Sequence, residues 1–323
     1  MKRILTSILC LSLLISCKDN GDGKLILSDS SGNINNLQVV MSNELWTGEV
    51  GEAVRIFFAA PVDGLPQEEP IFTIDQMPHV AFKGFVRNNR TFLNIKIGEE
   101  EKVSFATDPF ARPQQGVFIR AKTNKAIIKL IEENAPKIIA AFKKTEIKEK
   151  QRRIKISLLD LNELKKEMGV SLKVPSVYRI AKREEGFFWI RKDIRTGTVN
   201  IVVYEVPMDM INPNSEIINS IIQIRDSIGG MNVTVDDGGR FITEEAYAPY
   251  LFKSTIDNKF AYETKGTWEI KNRFMAGPFI NFAVKDSVNN RYLILEGFTF
   301  APSLSKRDYQ FEVEAILRSA VLN

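Results

Sequence analysis

The first seventeen residues decide what chemistry is left for the rest of the chain to fold with. Lys2 and Arg3 form a positive n-region, and Ile4 to Ile15 is an apolar stretch interrupted only by Thr6, Ser7 and Ser12. A bilayer span needs about 20 apolar residues. This stretch is too short, and residues 1–16 read as a signal peptide. It closes on Leu14-Ile15-Ser16-Cys17, which resembles the lipobox of bacterial lipoproteins, where the thiol takes a diacylglycerol. Both cysteines are then accounted for: Cys10 leaves with the signal, and Cys17 becomes a thioether. Disulfides, thiolate catalysis and Cys-ligated metals are closed to the mature body.

The expected partner is therefore a membrane, reached through the N-terminal lipid. One acyl chain anchors marginally, whereas two or more anchor stably. Lys18 follows the lipid position where Asp would favour inner-membrane retention, and Lys18-Asp19 resembles the charged tether of surface-exported lipoproteins. The expected location is the outer membrane, at its periplasmic face or on the cell surface. Export also removes nucleic acid as a partner.

The full chain is ordinary in composition, with 44% hydrophobic and 26% charged residues, which excludes a wholly disordered or fibrous chain. Loss of Lys2 and Arg3 lowers the formal charge from +4 to +2, so basic character matters only locally. The densest stretch runs from Lys143 to Lys155. Within it Lys148, Lys150, Arg152 and Arg153 are candidate contacts to an anionic lipid headgroup or a lipopolysaccharide phosphate. The competing reading is a solvated helix face paired with Glu146 and Glu149.

Hydrophobic periodicity divides the chain. Residues 17–36, rich in Asp, Asn, Gly and Ser, predict the lipidated Cys17 and a flexible tether. Residues 37–155 and 156–323 predict two α+β halves, with the charge-dense stretch at the boundary. In the first half, Trp46, Val50, Val54 and Phe57 fall on one helical face. Strands are expected near 71–74, 80–86, 92–97 and 116–121. A helix from Asn124 uses Ile127, Ile131, Ile138 and Phe142, with a break or kink at Pro136. In the second half, Asp160 and Glu163 resemble a capping box. A helix is predicted over 215–228 with Ile217, Ile221, Ile224 and Ile228 inward, and a terminal helix is predicted to start at Ser305. Strands fall between them. The fold expected is α+β, with mostly antiparallel sheets and amphipathic helices packed on one face, and the order of elements fits two related halves.

Catalytic material is sparse. His79 is the lone histidine, so no His pair can bind metal, and no Gly-x-Ser-x-Gly elbow accompanies it. Ser303-x-x-Lys306 matches one motif of penicillin-interacting enzymes, but the companion Ser-Asp-Asn and Lys-Thr-Gly are missing. No P-loop or Gly-x-Gly-x-x-Gly supports a nucleotide. No catalytic residue, metal or cofactor is assigned. Carboxylates at Glu68-Glu69, Asp236-Asp237, Glu244-Glu245 and Glu269 are the remaining acid/base material, and glycoside cleavage would need two of them facing across a cleft.

Several stretches carry a resemblance: Trp46-x-Gly48-x-x-Gly51, Leu65-Pro66-Gln67-x-Glu69-Pro70, Gly266-x-Trp268-Glu269, and Met275-x-Gly277-Pro278-Phe279. Together with the Phe298–Pro302 region they resemble an uncharacterised, domain-of-unknown-function family of lipoproteins from the Bacteroidota. The resemblance implies one fold across most of the body and carries over no reaction. From residue type, Gln67, Glu68, Glu69, Trp268, Glu269 and Met275 form the candidate ligand groove. The reading favoured is a lipid-anchored, non-enzymatic binding or interaction module of the cell envelope, with an envelope protein or glycan as partner. The alternative is a carboxylate-dependent hydrolase of envelope glycans or peptidoglycan.

Overall fold

The computed structural model describes residues 27–213, 216–234 and 238–323. The signal peptide, Cys17, most of the tether, Ser215 and Asp236-Asp237 lie outside the described residues.

The first half is a five-stranded mixed sheet. Its strands are β1 (Asn36–Val40), β2 (Thr73–Met77), β3 (Thr91–Ile97), β4 (Lys102–Thr107) and β5 (Gln115–Ala121), in the order β2-β1-β3-β5-β4. Three pairings are parallel, and only β4 with β5 is antiparallel. Helices α1 (Asn43–Thr47), α2 (Glu49–Phe58) and α3 (Asn124–Ile154) are its helical elements. Leu37, Val39, Leu93, Ile95, Val117 and Ile119 meet Val50, Val54 and Phe58 of α2 and Ile127, Ile131 and Phe142 of α3. Parallel strands fit here because helices and long connections separate them.

Two local features differ from the sequence expectation. The predicted helix after β1 breaks at Gly48 into two. Gly51 then lies so close to Trp46 that a Cβ would sit 1.9 Å from the Trp46 carbonyl oxygen, which explains a glycine there. The apolar residues 80–86 form no strand. They make 3-10 turns at His79–Ala81 and Gly84–Asn88, punctuated by Pro78 and Gly84. Phe82 from these turns packs with Val40 and Phe92 on the other face of the sheet.

Helix α3 is the beam of the molecule. It runs 31 residues without a break at Pro136. Thr123 caps it by accepting the Ala126 N–H at 3.2 Å. Its last turns carry the charge-dense stretch into the second half. There Gln151 Nε2 donates to the Ala315 carbonyl at 2.9 Å, and Ile154 joins that half's apolar core.

The second half is an eight-stranded antiparallel sheet curled into a half-barrel. Its strands are β6 (Arg179–Glu184), β7 (Phe187–Ile194), β8 (Gly197–Pro207), β9 (Phe241–Thr243), β10 (Tyr250–Ile256), β11 (Lys259–Ile270), β12 (Ala276–Asp286) and β13 (Arg291–Phe300). The order is β9-β11-β12-β13-β8-β7-β6, and β10 also pairs with β11. Helices α4 (Asn162–Met168), α5 (Ile217–Asn232) and α6 (Arg307–Leu317) cover it. Alternation sends Ile201, Val203, Ile280, Phe282, Leu293 and Leu295 to one face, against α4 and α6. Val202, Tyr204, Phe279, Ala283, Ile294 and Phe298 go to the other, against α5. Gly297 of β13 lets α6 approach, since a Cβ there would lie 1.9 Å from Val313 Cγ1. The whole is the α+β architecture expected, but helices expected on one face lie on both faces of the larger sheet, because its strands are apolar on both sides and α5 covers the face opposite α4 and α6. No helix among the described residues is long and apolar enough to cross a membrane.

Candidate functional site

The α5 face of the larger sheet is where polar and aromatic groups collect. Register aligns Thr264 with Asn281, Asn281 with Glu296, and Glu296 with Val202 across four strands. Arg225 comes down from α5 onto this row. Its Nε donates to Glu296 Oε1 at 2.9 Å, and its Nη1 donates to Thr243 Oγ1 at 2.8 Å. Asn281 Nδ2 donates to the other Glu296 oxygen at 2.9 Å. The guanidinium carbon lies 3.8 Å from the Phe279 ring centroid and 4.7 Å from that of Phe241, two cation–π contacts away from water. Burial pushes the Glu296 carboxyl up, against the pull of Arg225. Burial, then the Glu296 charge, pushes the Tyr204 hydroxyl well above its ordinary range.

At the end of this face lies a cavity of about 300 Å3. Trp189, Phe241, Trp268, Ile270 and Phe298 form its buried wall, and Arg191, Thr234 and Met275 lie at its more exposed parts. Trp268 stacks on Phe241 at 5.2 Å between centroids and meets Phe298 edge-on at 5.5 Å. This size and lining fall in the range of small-molecule sites. The lining includes no carboxylate among the described residues.

Five buried side-chain polar atoms on this face have no hydrogen-bond partner among the described residues: Tyr204 Oη, Arg225 Nη2, Thr264 Oγ1, Trp268 Nε1 and Asn281 Oδ1. Leaving such a group unpaired costs about 1–3 kcal/mol. Only one of the five, Trp268 Nε1, belongs to a residue that lines the cavity.

The sequence-predicted groove residues fall in different places. Trp268 and Met275 line the cavity. Glu269 follows Trp268 on β11, so strand alternation directs it to the opposite face. Glu69 is a helix cap: its carboxylate accepts the N–H of Lys306 at 2.6 Å and of Arg307 at 3.0 Å, at the start of α6. Ser305, the expected cap, is not used. Gln67 Oε1 accepts from Lys306 Nζ at 3.5 Å. Glu68 borders a separate cavity of about 320 Å3 with Asp63, Tyr247 and Tyr250. The groove was thus half a cavity wall and half a seam between the two halves of the molecule.

The basic residues of α3 are largely engaged. Lys150 pairs with Glu312 at 2.7 Å, and Arg152 and Arg153 both reach Glu149 at 2.7 Å. Lys148 is exposed. Glu312 also takes Lys192 and, at 2.7 Å, the Tyr178 hydroxyl. Burial would raise its pKa, but the charges of Lys150 and Lys192 prevail and hold it at about 2. Glu314 behaves alike, with burial outweighed by Lys265, Arg318 and Lys143, again at about 2. His79 faces Asn94 at 3.3 Å. No cluster of three or more His, Cys, Asp or Glu able to hold a metal occurs among the described residues.

Sequence reasoning missed Phe241, Phe298 and Asn200. Phe298 read as an ordinary strand residue and Phe241 fell in a stretch read as a connection, and only strand order brings them beside Trp268. A better signal was Gly277, which pairs with Trp268 across β11 and β12. A Cβ there would lie 3.1 Å from the indole nitrogen.

Residues 157–319 match the family model described as Domain of unknown function (DUF4837). The chain belongs to the DUF4837 family. Residues 30–155 match a second model, Domain of unknown function (DUF8532). No curated protein matches the chain. Two solved structures show a remote likeness: the Ran-binding protein Mog1p of Saccharomyces cerevisiae, with TM-score 0.32, and a Mog1 point mutant, with TM-score 0.30. Each is 7% identical and covers 48% of this chain and 90% of its own. That likeness is too slight to carry an argument about fold or role. The aromatic cavity and the buried polar row lie entirely within the DUF4837 portion.

Proposed function

We propose that the chain is a lipid-anchored binding module of the cell envelope, which takes a small, largely apolar ligand into the aromatic cavity of its DUF4837 portion. The supporting observation is the aromatic wall of that cavity, where the Trp268 indole is held among Phe241, Phe298 and Phe300. Anchoring through Cys17 rests on residues 1–17, and the outer-membrane location and display at either face rest on Lys18 and Asp19. The cavity lining offers aromatic surface and no carboxylate pair, which favours binding over glycan hydrolysis.

Two measurements test the two parts. Cells fed an alkyne-bearing palmitate should label the wild-type protein, and Cys17→Ala should be unlabelled and soluble. An unlabelled wild type would remove the anchor. For the ligand, organic extracts of the purified intact protein should contain an apolar small molecule at about one per chain, lost from Trp268→Ala. Identical extracts from both proteins would overturn the cavity as the binding site.

A further inference from the structure

The chain that leads from Cys17 enters the body at one corner of the first half, and its first contacts fix what lies beside it. Ser28–Asp29 pairs in parallel with Ala111–Arg112. Ser28 Oγ accepts from Asn88 Nδ2 at 3.2 Å, and the Ser31 N–H donates to the Asn88 carbonyl at 2.8 Å. Asn88 ends the pair of 3-10 turns that begins at His79. These turns are braced from inside. Phe82 is buried against Phe92 at 5.0 Å and Phe110 at 6.0 Å between centroids. Arg87 Nε donates to the Phe82 carbonyl at 3.0 Å, and its guanidinium lies 5.1 Å over the Phe110 ring. On the outside, Val80 is 78% and Phe85 75% exposed, the two most exposed large apolar side chains of the first half. The same braced segment thus turns one phenylalanine into the core and holds another out of it.

The charge around this corner is basic. Lys83 stands between Val80 and Phe85 and is exposed. Arg112, opposite Asp29 in the register, is largely exposed. Arg152 reaches Asp29 at 4.0 Å, and Arg153 Nη2 donates to the Gly32 carbonyl at 3.3 Å. Both stay about half exposed, while the Glu149 they share is buried beneath them. Chain length decides which surface meets this corner. Cys17 and Leu27 are ten residues apart, a span of at most about 36 Å. A globule of this length is about 50 Å across. A bilayer that holds the lipid therefore lies on this side of the body, and the tether makes contact with it intramolecular. The geometry points to a membrane-docking face: Val80 and Phe85 enter the headgroup–acyl boundary of a phospholipid bilayer, and Lys83, Arg112 and Arg152 meet its anionic headgroups. This inference rests on the lipid anchor proposed above and adds the face that the anchored body turns to the membrane.

The test uses the purified lipidated protein in vesicles of phosphatidylethanolamine and phosphatidylglycerol that carry a nitroxide-labelled lipid. With Cys10 removed and Cys17 lipidated, Ala81→Cys supplies the single free thiol for a nitrobenzoxadiazole label, and Phe85 stays in place. Val288→Cys, exposed in the second half, is the control. The label at position 81 should shift to the blue and be quenched by the nitroxide, and the label at 288 should do neither. Adding Phe85→Ser should abolish most of the quenching at 81. Adding Lys83→Gln/Arg112→Gln, or raising the salt, should weaken it. A label at 81 that stays unquenched in vesicle-bound protein would overturn the docking face and leave the anchor standing. Equal quenching at 81 and 288, or quenching at 81 unchanged by Phe85→Ser, would overturn it as well. Label taken up by the wild type would show a free Cys17 and remove the anchor together with the inference. A blue shift at 81 that appears in detergent without vesicles, and grows with protein concentration, would make the loop a contact between copies of this chain and also overturn it.

Discussion

On its α6 face, the eight-stranded sheet offers Ile201, Val203, Ile280, Phe282, Leu293 and Leu295 to a dry apolar core. On its α5 face, neighbouring residues of the same strands are Val202, Tyr204, Phe279, Asn281, Ile294 and Glu296. The α6 face carries its charges at the margin, where Glu314 meets Arg318 at 2.7 Å and Glu263 meets both Arg318 and Lys265. None of the seven buried, unpartnered polar atoms found among the described residues belongs to that apolar core. The α5 face holds five of them, together with a cavity. One face is packed for stability, while the other keeps unpaired groups and empty volume, both of which lower stability. Stability given up at one place in a fold is a common mark of function.

Four experiments can break or sharpen this contrast. The largest effect belongs to the buried pair on the α5 face. Arg225→Leu should lower unfolding free energy by about 3–5 kcal/mol, because the buried Glu296 loses its counter-charge and must either stay ionised without it or take up a proton. Arg225→Leu/Glu296→Leu should recover most of that loss in denaturant titrations. If the double variant is as unstable as the single one, the polar row is itself what holds the face together.

Next is the seam between the halves. Glu69→Ala removes the cap of α6 and should cost about 1 kcal/mol, read as a lower melting temperature. Ligand binding at the aromatic cavity should be unchanged, since Glu69 borders a different region. Loss of binding without loss of stability would instead return Glu69 to the ligand groove.

A third effect concerns acid. The Glu314 carboxyl lies at about 2 in the folded protein against an ordinary 4.5. A depressed carboxyl contributes stability that is complete above its unfolded pKa and is lost as pH falls through the folded one. The wild type should therefore lose stability progressively between about pH 4.5 and 2, and Glu314→Gln should lose less across that window. Parallel curves would mean that the surrounding Lys265, Arg318 and Lys143 charges act elsewhere.

How much of this was legible in the sequence depends on the range of the interaction involved. The helices from Asn124 and Arg307 announced themselves through apolar spacing, as did the apolar residues of the α6 face. Trp268 and Met275 stood out by residue type. The polar row did not, because Thr264, Asn281 and Glu296 alternate with apolar neighbours, a pattern that equally fits a strand face turned to solvent. Only the crossing of α5 over the sheet buries them, and periodicity within a strand says nothing about a helix that lies across it. Glu69 read as a ligand group because its true partners, the N–H groups of Lys306 and Arg307, are more than 230 residues away. The charge-dense Lys143–Lys155 stretch read as a loose boundary, yet helix α3 carries almost all of it between the halves.

The most direct test of the contrast is to fill the cavity. Val233 lines it at the end of α5 and is buried, so Val233→Phe should occupy part of the volume. The melting temperature of the wild type and of Val233→Phe should be measured with and without naphthalene, a small apolar probe. The account predicts that the variant melts higher than the wild type without ligand, and that the ligand raises the melting temperature of the wild type only. A variant that melts lower without ligand and still responds to it would contradict the claim that the α5 face keeps its empty volume for a ligand.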